Sequence, residues 1–187
     1  DTEHACALLL VLIFTAVTLV NGVVLDAGES TVYPAWLKRL VEIQVLPLPL
    51  FFALATYAIS LRIGQYGLTP LRLYAAVLCA IAGLYGLGYA AAAIRSYIGG
   101  PWLGWLRPVN IATSLLIVLV ILLLHTPLAD PLSMSARHQY ARLLDGRADI
   151  RSFDFWSLRR DYGRVGFERF KELDENLDAM MDSGVFT

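Results

Sequence analysis

Residues 5–25, 41–61, 71–94 and 108–126 run almost unbroken through Leu, Val, Ile, Ala, Phe and Tyr, and no charge falls in their central turns. A helix rises 1.5 Å per residue, so each stretch is long enough, or nearly so, to cross a hydrocarbon core of about 30 Å. Lipid offers no partner for an exposed N–H or C=O, so these stretches must be helices. The pattern predicts an all-α membrane protein: a transmembrane domain over residues 1–126 with four spans, then a polar, amphipathic helical tail over 127–187. Its first constant partner is the lipid bilayer.

The punctuation between the spans is equally readable. Residues 26–33 form a short polar turn, and Pro34 suits the first turn of a helix, whose orphan N–H it does not need. Pro47 and Pro49 each remove a backbone hydrogen bond inside the second span and predict a kink or break there. Such a break is either packed against a neighbouring helix or opened as a ligand site. In the third span Ala76, Cys79, Gly83, Gly86, Ala90 and Ala93 recur at spacings of three and four, which puts six small residues on one stripe. Helices in lipid associate by close approach, so the stripe predicts a helix interface, with Tyr85 and Tyr89 beside it to donate hydrogen bonds or face a cavity. The fourth span, nearly pure Leu, Ile and Val from Leu115 to Leu124, predicts a face for lipid or for a larger bundle.

Two polar constellations follow. In the connection from Arg62 to Arg72, Gly67 allows a tight turn, Thr69 can cap the third span and Pro70 can take its first position. Arg62, Gln65, Tyr66 and Arg72 are the candidate contacts for an anionic headgroup or an acidic partner; the competing reading is interfacial anchoring and capping. Arg62, Tyr66 and Arg72 are expected to gather at one end of the two spans. In the tail, Asp130 and Pro131 start a helix that Gly146 stops. Beyond it, Phe155, Leu158, Tyr162, Val165, Arg169, Leu173 and Leu177 fall on roughly one helical face, with Phe170 and Met180 nearby. Phe155, Leu158, Tyr162 and Val165 are the candidate docking residues, and the segment is expected to bend at Gly163 and Gly166.

Composition narrows the function classes. The apolar fraction of 57% exceeds the roughly 45–50% usual for soluble domains. Nine of the fifteen Lys and Arg lie beyond His125 beside eleven Asp and Glu, so the tail is highly charged yet nearly balanced and does not read as a nucleic-acid footprint. Cys6 and Cys79, without a CxxC, read as small apolar packing residues. His4, His125 and His138 are scattered, which predicts no metal and no cofactor, and no nucleophile or phosphate-loop motif is present. No ionisable residue sits mid-span, as a proton relay would require; Glu42 lies beside Lys38 and Arg39 at an edge. Residues 1–4 lack the positive start of a signal peptide, so 5–25 is read as a span. Orientation is a tie: Arg62, Arg72, Arg137 and Arg142 on one side, Lys38, Arg39, Arg95 and Arg107 on the other.

Three ordered blocks carry a resemblance: RIGQYGLTPLRLY from Arg62, VNIATSLLIVLVILLLHTPLADPLSMSARHQYARLLDGR from Val109 and FDFWSLRRDYGRVGF from Phe153. Over roughly residues 40–173 the chain resembles the C-terminal half of bacterial polytopic membrane proteins grouped as domain-of-unknown-function family 4153. The resemblance implies a multi-pass protein of the bacterial inner membrane, with further spans before it and more chain after it, and no reaction. Its characteristic positions are Arg62, Gln65, Tyr66, Gly67, Thr69, Pro70, Asp130, Gln139, Arg142, Leu143, Phe153, Asp154, Gly163 and Gly166. The expected role is a non-enzymatic component of a larger membrane assembly, partnered by other helices or subunits. The alternative is a transporter or lipid-handling protein whose site is completed by helices outside this piece.

Overall fold

The computed structural model describes residues 2–24 and 33–182, without the side chains of residues 2–3 and 176–182. Residues 26–32 of the expected turn at 26–33, and the side chains of Leu177 and Met180, lie outside the described residues. Every regular element described is helical: α1 (Thr2–Val24), α2 (Ala35–Val45), α3 (Leu48–Tyr66), α4 (Pro70–Tyr97), α5 (Leu106–Leu124), α6 (Pro131–Leu144), α7 (Phe155–Arg160) and α8 (Gly163–Asp182). Four segments are long and apolar enough to cross a bilayer: His4–Val24, Ala35–Tyr66, Pro70–Tyr97 and Leu106–Leu124. The protein is a multi-pass membrane protein. The second span starts earlier than expected, at Ala35, and is broken between Val45 and Leu48, where Pro47 and Pro49 supply no amide.

The chain forms two compact units that interleave in sequence. One comprises Asp1–Leu61 and Ala75–Val120, the other Arg62–Tyr74 and Ile121–Thr187. In the first unit the small stripe of α4 is largely buried, Ala76 being half-buried. Its partners are now identified. A Cβ on Gly83 would meet the Phe52 ring at 2.6 Å, and one on Gly86 would meet the Leu48 backbone at 3.3 Å, so α3 lies against this part of the stripe. Leu48 is the residue at which α3 restarts after the proline break, and it is 1% exposed. The break is therefore packed against a neighbour rather than opened. Gly88, off the stripe, receives Val109 of α5 in the same way. Cys79 brings its sulfur to 4.0 Å from that of Cys6 on α1, and both are buried.

Hydrogen bonds hold the same spans where polar groups enter them. Tyr89 of α4, fully buried, donates its hydroxyl to Asn110 Oδ1 on α5 at 2.7 Å, and Asn110 Nδ2 donates to Asn21 Oδ1 on α1 at 2.7 Å. Three helices are tied by one chain of side chains, each satisfying a group that hydrocarbon would leave unmet. Two turns further on, at the C-terminal end of α4, Glu42 is 5% exposed and accepts from Ser96 Oγ at 2.5 Å and from Arg39 Nη1 at 2.6 Å. Around it Lys38 lies over Trp102, Arg39 over Tyr97 and Arg95 over Trp105, a belt of cations on amphipathic rings suited to a membrane–water interface.

In the second unit the amphipathic tail folds on itself. Ala136 and Leu143 of α6, Leu158 of α7, Tyr162 in the turn and Leu173 of α8 form a buried cluster, flanked by Phe155, Val165 and Phe170 among others. The expected single helical face is two helices. Asp154 caps α7, accepting the Ser157 amide at 2.9 Å, and α7 lasts only to Arg160 before Gly163 turns the chain at φ +63°. Gly166 then passes the Leu158 carbonyl so closely that a Cβ would sit 2.4 Å from its oxygen. The expected bend thus falls at Gly163 alone, while Gly166 lies inside α8, where its missing side chain lets α8 close on Leu158.

Replacing Gly83 or Gly86 by Leu inserts a side chain where α3 leaves no room, and overpacking of this kind costs about 1–3 kcal/mol. Thermal unfolding in mild detergent should show a lowered midpoint for both variants, and none for Gly22→Leu, whose Cβ meets nothing within 4 Å. Equal midpoints for all three would mean that the stripe is not a tight interface.

Candidate functional site

The site is built on a problem at the end of α3. A helix leaves its last four carbonyls without intrahelical donors, and here these belong to Ile63, Gly64, Gln65 and Tyr66. Gly67, at φ +79°, returns its amide to Ile63 O at 2.9 Å, the left-handed closure that glycine adopts most easily. The last turn of α3 carries no basic residue of its own. Donors come instead from α6 and α4. Arg142 Nη1 reaches Ile63 O at 3.4 Å and Gly64 O at 3.2 Å, and its Nη2 reaches Gln65 O at 3.0 Å. Gln139 Nε2 donates to Tyr66 O and Leu68 O, both at 3.1 Å. Arg72 Nη1, folded back from the first turn of α4, donates to Tyr66 O at 3.3 Å and Gly67 O at 2.9 Å.

Two backbone amides of the connection are met by side chains as well. The Leu68 amide donates to His138 Nδ1 at 3.1 Å, and Thr69 Oγ1 accepts from the Arg72 amide at 3.4 Å, capping α4 with Pro70 in its first position. Every carbonyl from Ile63 to Leu68 therefore has a side-chain donor, and two of the donors are guanidiniums placed at the negative end of the α3 dipole. The approach is close: a Cβ on Gly67 would lie 2.7 Å from Gln139 Nε2 and 2.9 Å from Arg142 Cδ. Glycine is required there twice, for its φ and for the room it leaves.

Of the sequence-derived candidates, Arg62, Tyr66 and Arg72 come together. The Arg62 guanidinium lies 5.5 Å and that of Arg72 5.4 Å from the centre of the Tyr66 ring. Gln65, Tyr66 and Arg72 also line a cleft of about 410 Å³, completed by Thr69, Gln139 and Arg142, by the connection carrying Arg147, Asp149 and Ser152, and by Phe153, Asp154 and Tyr162. Leu158 and Tyr162 are buried in the tail's own core, and Phe155 and Val165 are half-buried against it. Ala76, Cys79, Gly83, Gly86, Ala90 and Ala93 belong to the other unit. Sequence reasoning missed His138 as an acceptor, and it missed Asn21, Asn110 and Ser96. A polar residue inside an apolar run was the available signal for the last three. His138 had none, because its role depends on α6 meeting a loop 70 residues away. Among the described residues no group of three or more His, Cys, Asp or Glu is placed to hold a metal.

Electrostatics set the state of these groups. Burial, helped by Arg142 and Arg147, holds the His138 imidazole below its ordinary value and so keeps the ring neutral, as acceptance from Leu68 requires. Hydrogen bonds from the Ser157 amide and hydroxyl hold the Asp154 carboxyl below the usual carboxylate range. Burial pushes the Tyr162 phenol up.

A family model described as Domain of unknown function (DUF4153) matches residues 5–173. The chain belongs to the DUF4153 family. The match takes in the first span, which the resemblance over 40–173 left out. No curated protein and no solved structure matches the chain. Most of the positions that the resemblance marked now have a physical role in the second unit of this DUF4153 protein: Gly67, Gln139 and Arg142 in the clamp, Thr69, Asp130 and Asp154 as caps, Leu143 in the tail core, Gly163 at the bend and Gly166 where α8 passes Leu158.

The clamp should weaken in acid. A histidine whose folded value is lowered contributes stability that is complete above its unfolded value of 6.5 and is lost as pH falls through the lowered folded value. Asp130 and Asp154, with folded values below 3.8, act only at lower pH, so the window just under 6.5 belongs to His138. Limited proteolysis of the 145–153 connection at pH 5.0 and 7.5 is the check. Cleavage should be faster at pH 5.0 in the native chain, and this difference should shrink in His138→Gln, whose amide oxygen accepts without titrating. An undiminished difference in that variant would remove His138 from the account.

Proposed function

We propose that this DUF4153 chain is a non-enzymatic integral component of a larger assembly in the inner membrane of a bacterium. The observation that carries the reading is that the spans spend their polar groups on one another while leaving wide apolar faces open. In their most apolar windows half of α4 is buried, but only 22% of α1, 22% of the α2–α3 span and 11% of α5. Leu115, Val118, Leu119, Ile121 and Leu122 of α5 are each at least half exposed. In a bilayer such a surface is covered either by lipid or by further helices. Lipid covers an apolar face as well as helices do, so the preference for a component over a transporter rests on polar groups already spent within the spans: Asn21, Asn110 and Tyr89 are bonded in a chain and Glu42 is paired with Arg39 and Ser96. A proton or ion relay would keep an ionisable group available in mid-span. The resemblance to bacterial inner-membrane proteins is what supports the choice of membrane.

A second reading, a lipid-handling or transport protein completed by helices outside this piece, is favoured by the polar cleft alone. Purification of the tagged protein from its native membranes in mild detergent separates the two. The assembly reading expects a membrane partner at fixed stoichiometry that survives a second affinity step. A chain that elutes alone, carrying only lipid, would contradict it and support the second reading.

A further inference from the structure

The cleft of the second unit is lined unlike a packing defect. Three guanidiniums border it, those of Arg72, Arg142 and Arg147, against the two carboxylates of Asp149 and Asp154. Both carboxylates are answered locally: Asp149 accepts the Arg151 amide, and Asp154 accepts the amide and the hydroxyl of Ser157. Arg142 is committed to the loop carbonyls, but Arg147, bonded to Asp145 through Nη2, keeps a side chain 66% exposed at the cleft's edge. The lining thus sets three guanidiniums against two carboxylates, Arg147 being shared with Asp145 outside it, beside the hydroxyls of Thr69, Ser152 and Tyr162.

We propose that this cleft binds a phosphate group, and that in the membrane the phosphate is that of an anionic phospholipid headgroup. The forked donors of Arg match two oxygens of a phosphate at once, and flanking hydroxyls can serve the others. The volume of about 410 Å³ holds a phosphate with its attached alcohol. The position selects lipid over a soluble anion. Tyr66 ends one span and Pro70 begins the next, so the residues between them belong to the headgroup level, where Tyr66 sits between Arg62 and Arg72 as an interfacial ring does. Guanidiniums outnumber carboxylates in the lining by three to two, which favours an anionic over a zwitterionic headgroup. The site does not depend on the assembly proposed above.

The test uses the full chain in an uncharged detergent, with thermal unfolding and native mass spectrometry read during titration with phosphatidylglycerol, phosphatidylcholine or inorganic phosphate. Phosphatidylglycerol should bind saturably and raise the midpoint, phosphatidylcholine should do so more weakly, and inorganic phosphate should compete at higher concentration. Arg147→Gln should weaken phosphatidylglycerol about fivefold by removing one charge-assisted contact, while Arg151→Gln, exposed and outside the lining, should change it less than about twofold. Ser152→Ala gives a second, uncharged change in the lining, and a weakening there supports the same site. Saturation by inorganic phosphate without any response to phosphatidylglycerol would overturn the lipid source and leave a soluble phosphate ligand. Equal binding of both lipids, or equal loss in Arg147→Gln and Arg151→Gln, would overturn the cleft.

Discussion

A helix that ends at the edge of a membrane leaves carbonyls that lipid cannot satisfy, and in this protein the answer to the end of α3 comes from the tail. Arg142 and Gln139 of α6 and Arg72 of α4 supply donors to every carbonyl from Ile63 to Leu68. A hydrogen bond between a charged donor and a carbonyl contributes on the order of 1.5–3 kcal/mol, less where water reaches it. The cost of leaving the acceptors unmet is of the same order. The clamp therefore ties two things in one step: the loop has its conformation because α6 is there, and α6 is held because the loop presents a row of acceptors. The cleft and the neutral His138 are consequences of that contact.

The membrane unit solves the complementary problem. Its helices gain nothing from hiding apolar surface in lipid, so they hold together by approach and by polar bonds. Gly83 and Gly86 let Phe52 and the Leu48 backbone come close, and the Asn21–Asn110–Tyr89 chain ties three spans where side chains would otherwise be orphaned. The proline break in the second span contributes to the first of these, because it sets the restart of α3 at the residue that meets Gly86.

Much of this was legible in the sequence, and the reasons differ by element. Span positions follow from length and apolarity alone. Thr69–Pro70 and Asp130–Pro131 mark helix starts because a capping oxygen and a proline are needed side by side, and the structure has both. The small stripe of α4 was visible as spacing, but its partner was not, since nothing in a spacing names the helix that fills it. Arg62, Tyr66 and Arg72 were readable as a cluster because ten residues separate the two arginines. Arg142, Gln139 and His138 act on a loop about 70 residues away, and only the fold brings them there. The helix start after Pro34 and a bend near Gly163 were readable, but the span itself was placed six residues late because Lys38 and Arg39 interrupt the apolar run, and the end of α7 at Arg160 was hidden because the amphipathic period continues through the turn.

The central claim, that α6 determines the order of the α3–α4 loop, is tested most directly by hydrogen exchange of the full chain in detergent micelles, comparing the native sequence with Arg142→Ala. The account predicts that exchange in the peptide covering residues 64–72 accelerates in the variant, the Leu68 amide included, while peptides covering residues 80–92 of α4 keep their native protection. Unchanged exchange at residues 64–72, with α6 itself loosened, would show that the loop is ordered without the clamp and would contradict it.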